Sequence, residues 1–209
     1  MKRSGCEFVD LGLESGSQTI LDNMDKRLTC KQSFNAIQML NDHGIVSRGS
    51  FIVGYPGETA DTFSETIDFI NESGLPYYHP YLFYYTANTL VHQEREALGL
   101  KGLGLAWRHN TMDSVEASRL MSQMPERIDK SFTDGQAYVE EIYKLLRGKG
   151  YHPEEINTLF RLKRRLQLAI KRSYVKGQSS NEIEGILSDL EVVVRGQGSG
   201  VRNLEPETS

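Results

Sequence analysis

"FVDLGLESGS", residues 8–17, is an apolar run that stops at Glu14 and breaks into small polar residues. Residues 7–13 read as a short buried strand ended by Gly and Ser, which leaves a carboxylate at the strand's carboxyl tip. Just beyond, Ser17 suits a helix N-cap, with Ile20, Leu21, Met24 and Leu28 along one apolar face. Thr29 opens a second helix with Phe34, Ile37 and Leu40 inward, closed by Gly44. In "SRGSFIVGYPGET", residues 47–59, a strand runs into a Gly- and Pro-rich turn, and Thr59 starts a helix carrying Phe63, Ile67 and Ile70. "SGLPYYHPYLFYY" then supplies another turn and a strand over 77–85. Strands alternating with helices in this way predict βαβ units and a parallel sheet, an α/β fold.

From residue 87 to 195 the patterns are helical and no strand is expected: 90–98, 114–124, 136–146, 154–175 and 181–194. The basic segment "RLKRRLQLAIKR", 161–172, reads as a solvated helix face. Residues 196–209 are Gly-rich and polar, the composition of a disordered tail.

With 209 residues, 38% of them hydrophobic and 25% charged, the chain has an ordinary globular composition, enough for one large domain or two small ones. A net charge of −4 gives no basic footprint for nucleic acid. No apolar run approaches the ~18 residues of a membrane span, and "MKRSGCEF" lacks a signal peptide's apolar core. The expectation is a cytoplasmic protein. Its two cysteines, Cys6 and Cys30, have no zinc-ligand spacing and read as free thiols.

In a parallel sheet, ligands sit at the carboxyl ends of the strands. Three such ends stand out: Glu14-Ser15-Gly16-Ser17, Gly54-Tyr55-Pro56-Gly57-Glu58, and the aromatic run to Tyr84-Tyr85. The glycines let backbone approach a flat ligand, and a strand-tip carboxylate suits the vicinal hydroxyls of a ribose. Equally, Glu14 reads as a cap for the next helix and Gly57 as a tight turn. Period-two alternation puts Tyr78, Pro80, Leu82 and Tyr84 on one face and Tyr77, His79, Tyr81, Phe83 and Tyr85 on the other. Arg108, in "WRH", suits an anionic group or a stack on Trp107. Taken singly, Lys26 and Arg48 read as solvated surface charges. No His/Asp/Glu spacing makes a metal site.

"GLESGSQTILDNMDKRLT" (12–29) followed by "SFIVGYPGET" (50–59) resembles the second half of a radical S-adenosylmethionine (SAM) barrel. "YYHPYLFYYTANTLVHQ" (77–93) and "GLAWRHNTMDSVEAS" (104–118) are similar to cobalamin-dependent radical SAM methyltransferases, the phosphinate P-methyltransferases among them. This resemblance, over residues 5–125, implies the C-terminal half of a partial (β/α)6 TIM-like barrel. Strands four to six lie in 1–86, followed by an α-helical extension. It further implies SAM, a [4Fe–4S] cluster and cobalamin as cofactors of the intact enzyme, and a small-molecule substrate. Glu14 and Ser15 stand where the family meets the SAM ribose or methionine, and Lys26 where a cation meets the SAM carboxylate. Ser50 faces the same cavity, Gly54, Tyr55 and Pro56 lie along the adenine, and Tyr84, Arg108 and His109 line the substrate.

The sequence departs from this family in its cysteines, and neither a first half-barrel nor a cobalamin domain is matched. The cluster needs three closely spaced cysteines, and two distant ones cannot supply them. The expectation is therefore a fragment whose N-terminal half is missing or separately encoded. The alternative is a non-catalytic half-barrel that pairs with another chain through its exposed edge strand.

Overall fold

The computed structural model describes residues 1–133, 139–176 and 181–198, and the chain divides into two compact units, Met1–Gln136 and Ala137–Ser209. The first unit is built on a parallel sheet of β1 (Phe8–Glu14), β2 (Val46–Val53) and β3 (Tyr77–Leu82), in that order. Between β1 and β2 lie α1 (Gln18–Asn23) and α2 (Cys30–Asp42); α3 (Ala60–Glu72) returns the chain to β3. This is the α/β alternation read from the sequence. Thr29 and Thr59 start α2 and α3 as expected, each closing a capping box, with Gln32 and Thr62 respectively.

Alternation along β2 separates two faces. Phe51 and Val53 join Leu13, Ile37, Phe63, Ile67, Ile70 and Leu75 in a core on the helical side. On the opposite face the register sets Asp10, Arg48 and Tyr77 in one row and Gly12, Ser50 and His79 in the next. This second face holds the polar groups. Close packing on the helical side requires a glycine at 16, where a Cβ would lie 2.5 Å from Phe69 Cβ and 2.7 Å from Thr66 Cα.

Several expectations change. The helix after Ser17 ends at Asn23 rather than Leu28, because Asp25 and Arg27 take left-handed backbone (φ 48° and 52°) that no helix continues. Past Leu82 the strand alternation fails. Phe83 and Tyr85, expected on the Tyr77 face, are in the same core as Tyr78, since Phe83 packs edge-on against Tyr55 and Trp107 with centroids 5.4 Å away in each case. After α4 (Leu90–Gln93), where only helices were expected, β4 (Lys101–Leu103) and β5 (Ala106–Arg108) form an antiparallel hairpin. Its three-residue strands are too short to show a period. The hairpin is fixed by Trp107, whose indole N–H donates to Phe83 O at 2.7 Å. The 14-residue α5 (Ser114–Arg127) follows, capped by Asp113.

In the second unit, α6 (Val139–Gly148), α7 (Pro153–Lys176) and α8 (Asn181–Gly198) are helical, as the patterns implied. Leu162 and Ala169 of the basic segment pack on Ile186 of α8, while Arg172 pairs with Glu182 at 2.7 Å and Arg165 with Asp189 at 3.7 Å. Part of the expected tail, 196–198, is the end of α8; 199–209 lie outside the described residues, as does 136–138 of the third expected helix. No described helix is long and apolar enough to cross a membrane.

Candidate functional site

The tip of β1 is irregular. Pairing with β2 shifts between Gly12 and Glu14, so Leu13 is an extra residue, and Glu14 takes φ 66°. The bulge turns the Glu14 carboxylate back over Gly12, where a Cβ would stand 2.9 Å from Oε1. Lys26 donates to that oxygen at 2.8 Å. Glu14 is thus no helix cap, and Lys26 no free surface charge. The residues on either side of Lys26 have positive φ too. Non-glycine residues held there cost about 1–3 kcal/mol each and gather where geometry serves function. The pair lies on the polar face, beside Ser50, which pairs directly with Gly12 and His79.

Ser15 is placed differently. It is 1% exposed, and its hydroxyl lies 3.1 Å from Thr66 Oγ1 and accepts from Ser17 N–H at 3.1 Å. It fixes the turn into α1 rather than facing the polar side. Arg48, read as a surface charge, has a side chain 13% exposed and grips Asp10 through Nε (2.6 Å) and Nη2 (2.9 Å). This two-point bond holds β1 to β2 beneath the Ser50 row. Nothing in the spacing of Asp10 and Arg48 announces it, since only strand register brings them together.

At the tip of β2, Glu58 N–H donates to Tyr55 O at 2.9 Å, with Pro56 and Gly57 (φ 95°) between, the pattern of a type II turn. The Glu58 side chain folds inward, 1% exposed, to accept from Gly54 N–H. Burial raises its pKa from 4.5 to about 7, and the Gly54 hydrogen bond only partly opposes this. On the carbonyl side of the same residue, Gly54 O lies 3.2 Å from His109 Nε2. A carbonyl only accepts, so Nε2 bears the proton, and Nδ1 accepts from Thr111 N–H at 3.3 Å. Burial lowers the His109 pKa, in keeping with this neutral ring. The ring stacks on Trp107 at 5.2 Å. Gly54 itself (φ 88°) is covered by Trp107 and Ala117, whose atoms would lie 2.4 and 2.7 Å from a Cβ. Tyr55 and Pro56 lean toward the first site: Asn23 Nδ2 donates to Pro56 O and Tyr55 Oη to Asn23 O, both at 3.5 Å.

Of the three residues expected at the substrate, His109 is inside and both its ring nitrogens are engaged. Tyr84 is 61% exposed, beyond the end of β3 and near Gly104. Arg108 is exposed on β5 and lines a cleft of about 370 Å³ with Lys101, Asp113 and Val115. The structure therefore groups Glu14, Lys26 and Ser50, and separately the Gly54 turn with His109.

A four-iron cluster does not fit these residues. Cys30 is half-buried, its thiol directed at Gly16 O (3.2 Å), and burial pushes its pKa up, away from the thiolate that ligates iron. Among the described residues no group of three His, Cys, Asp or Glu is arranged to hold a metal ion. SAM fits better. A cation–carboxylate pair on a polar face complements its amino-acid end, and Ser50 adds a hydroxyl beside it.

Residues 1–70 match the Radical SAM superfamily. Over 77 residues, 37% of this chain, the sequence is 38% identical to an uncharacterized methyltransferase of Pyrococcus horikoshii, 17% of which is covered. It is 45% identical over 65 residues (31% of this chain, 12% of the relative) to an anaerobic magnesium-protoporphyrin IX monomethyl ester cyclase of Rubrivivax gelatinosus. A ribosomal protein uS12 methylthiotransferase of Desulforamulus reducens is 42% identical over 69 residues, 32% of this chain and 16% of the relative. The chain thus spans a small part of the length of these relatives. Glu14, Lys26, Ser50 and the Gly54 turn all fall inside residues 1–70, the segment that matches the radical SAM superfamily.

Proposed function

We propose that residues 1–86 supply strands four to six of a six-stranded radical SAM barrel, and that the chain is the C-terminal part of a methyltransferase of that superfamily. The strained Glu14–Lys26 pair on the polar face of the sheet is the observation that supports this reading. Lys26 holds the SAM carboxylate, Glu14 orients the Lys26 ammonium and accepts from SAM hydroxyl or amino groups, and Ser50 donates or accepts beside them. The turn at Gly54, Tyr55 and Pro56 offers backbone to the adenine, with Glu58 and His109 fixing its shape from within. Bound there, SAM supplies an activated methyl group. The cluster belongs to cysteines other than Cys6 and Cys30. Cobalamin enters on the sequence resemblance of 77–93 and 104–118 alone, and no residue of this chain is assigned to it. The small-molecule substrate approaches the same end of the sheet, on the side of Tyr84 and Arg108.

Two measurements test this. SAM added to the isotopically labelled chain is expected to shift the amide signals of Gly12, Lys26 and Ser50. Lys26→Ala is expected to weaken binding about tenfold, the loss of one charge-assisted hydrogen bond. Equal SAM affinity in wild type and Lys26→Ala would remove Lys26 from the site. Separately, anaerobic reconstitution of this chain with iron and sulfide is expected to give no stable four-iron absorbance. A cluster formed on this chain alone would defeat the assignment of its ligands elsewhere.

A further inference from the structure

The β4–β5 hairpin has two faces of opposite character. Its pairs are Lys101↔Arg108, Gly102↔Trp107 and Leu103↔Ala106. Alternation therefore puts Trp107 on one face and both cations on the other. Trp107 is 3% exposed and packed in the core, whereas Lys101 and Arg108 are exposed. Two cations directly opposite each other repel and weaken a ladder, so this short hairpin is less stable for having them. Among the described residues neither has an ion-pair partner.

The cleft of about 370 Å³ opens over this face, walled further by Trp107, Asp113, Ser114 and Val115. Asp113 is the acid present, and it is committed to its own helix. Its Oδ1 accepts from Val115 N–H at 3.0 Å and Glu116 N–H at 2.9 Å as the N-cap of α5. The helix end is thereby satisfied from within the chain through one oxygen of Asp113, and the cleft presents two cations against this single carboxylate. Val115, 76% exposed on the cleft wall, and Ala106 add apolar surface next to them.

We infer that this cleft binds the anionic end of a small organic molecule, a carboxylate or a phosphoryl-type group, between Lys101 and Arg108, with Val115 and Ala106 against its apolar body. The inference deepens the substrate role proposed for Arg108, giving the ligand a charge class and the site a second cation. It rests on the barrel reading only in taking that ligand as the substrate.

Trp107 is the chain's single tryptophan and borders the cleft, so its emission responds to a ligand there; because its indole also covers Gly54, the titrations are made without SAM. The probes are benzoate, phenylphosphonate and, as a neutral isostere, benzamide. Either anion is expected to change Trp107 emission saturably, with benzamide weaker by about tenfold or more. The tighter anion identifies the headgroup. Lys101→Ala and Arg108→Ala are each expected to weaken the anion about tenfold, and Lys101→Gln and Arg108→Gln, which keep the stem and lose the charge, to match them. Far-UV circular dichroism of all four variants checks the fold. No saturable response to either anion, benzamide binding as tightly as benzoate, or anion affinity unchanged in the charge-removing variants overturns the proposal. SAM binding is read separately through Lys26. Loss of SAM binding with intact probe binding sinks the barrel reading alone, and the converse sinks this cleft alone.

Discussion

Trp107→Ala is expected to lower the unfolding free energy by about 3–5 kcal/mol, the range for deleting a fully packed aromatic side chain. The indole touches Phe83, stacks on His109 and donates its N–H to Phe83 O, so one truncation empties a core site and orphans a carbonyl. It also covers Gly54, whose missing side chain makes room for it. Gly54→Ala is therefore expected to be destabilising by itself. About 1–2 kcal/mol comes from an L residue at φ 88° and about 1–3 kcal/mol from the clash with Trp107. Combined, the two substitutions should cost clearly less than the sum, because the cavity left by Trp107 accommodates the new methyl. Urea unfolding followed by circular dichroism measures all three variants. Additive losses would show that Gly54 and Trp107 do not depend on each other.

Glu58 sets the second large effect, and its sign is unusual for a carboxylate. Its pKa is raised from 4.5 to about 7, so between these values the folded chain holds a proton that the unfolded chain has released. Stability contributed by this group is present in full below 4.5 and is lost as pH rises toward 7. Over that window the loss is about 3 kcal/mol. Glu58→Gln keeps an oxygen for Gly54 N–H and removes the titration, so its stability should be nearly flat across the same window. Glu58→Ala also removes the titration but leaves Gly54 N–H without its acceptor, at a cost of about 1–3 kcal/mol at every pH. Urea denaturation across this pH range distinguishes them. A slope in Glu58→Gln as steep as in wild type would mean that another group is responsible.

Much of the first unit was legible because its signals are local. The capping residues Thr29 and Thr59, the apolar spacing of α3 and the strand-tip glycines each act over a few residues, and each gave the element found. The hairpin was not legible. Lys101–Arg108 has no period to detect, and it is held by Trp107 meeting Phe83 and Gly54 from distant parts of the chain. The same holds within the site. Glu14 and Lys26 were each visible as polar residues near a strand end, but their 2.8 Å contact depends on a bulge and three left-handed residues. Ser15 had the right neighbours in sequence and the wrong direction in space, because Thr66 claims its hydroxyl.

By itself the sequence determined the α/β alternation, the starts of α2 and α3, the likeness of residues 1–70 to the radical SAM superfamily and the lack of a cysteine triplet, since all of these are matters of residue type and spacing. The tertiary structure decided which face of the sheet is polar, that Asp10 and Arg48 lock β1 to β2, and that Glu58 and His109 grip Gly54 from its two sides. It also decided that Lys101 confronts Arg108 across a ladder. These depend on strand register and on contacts between residues far apart in the chain, which hydrophobic periodicity does not encode.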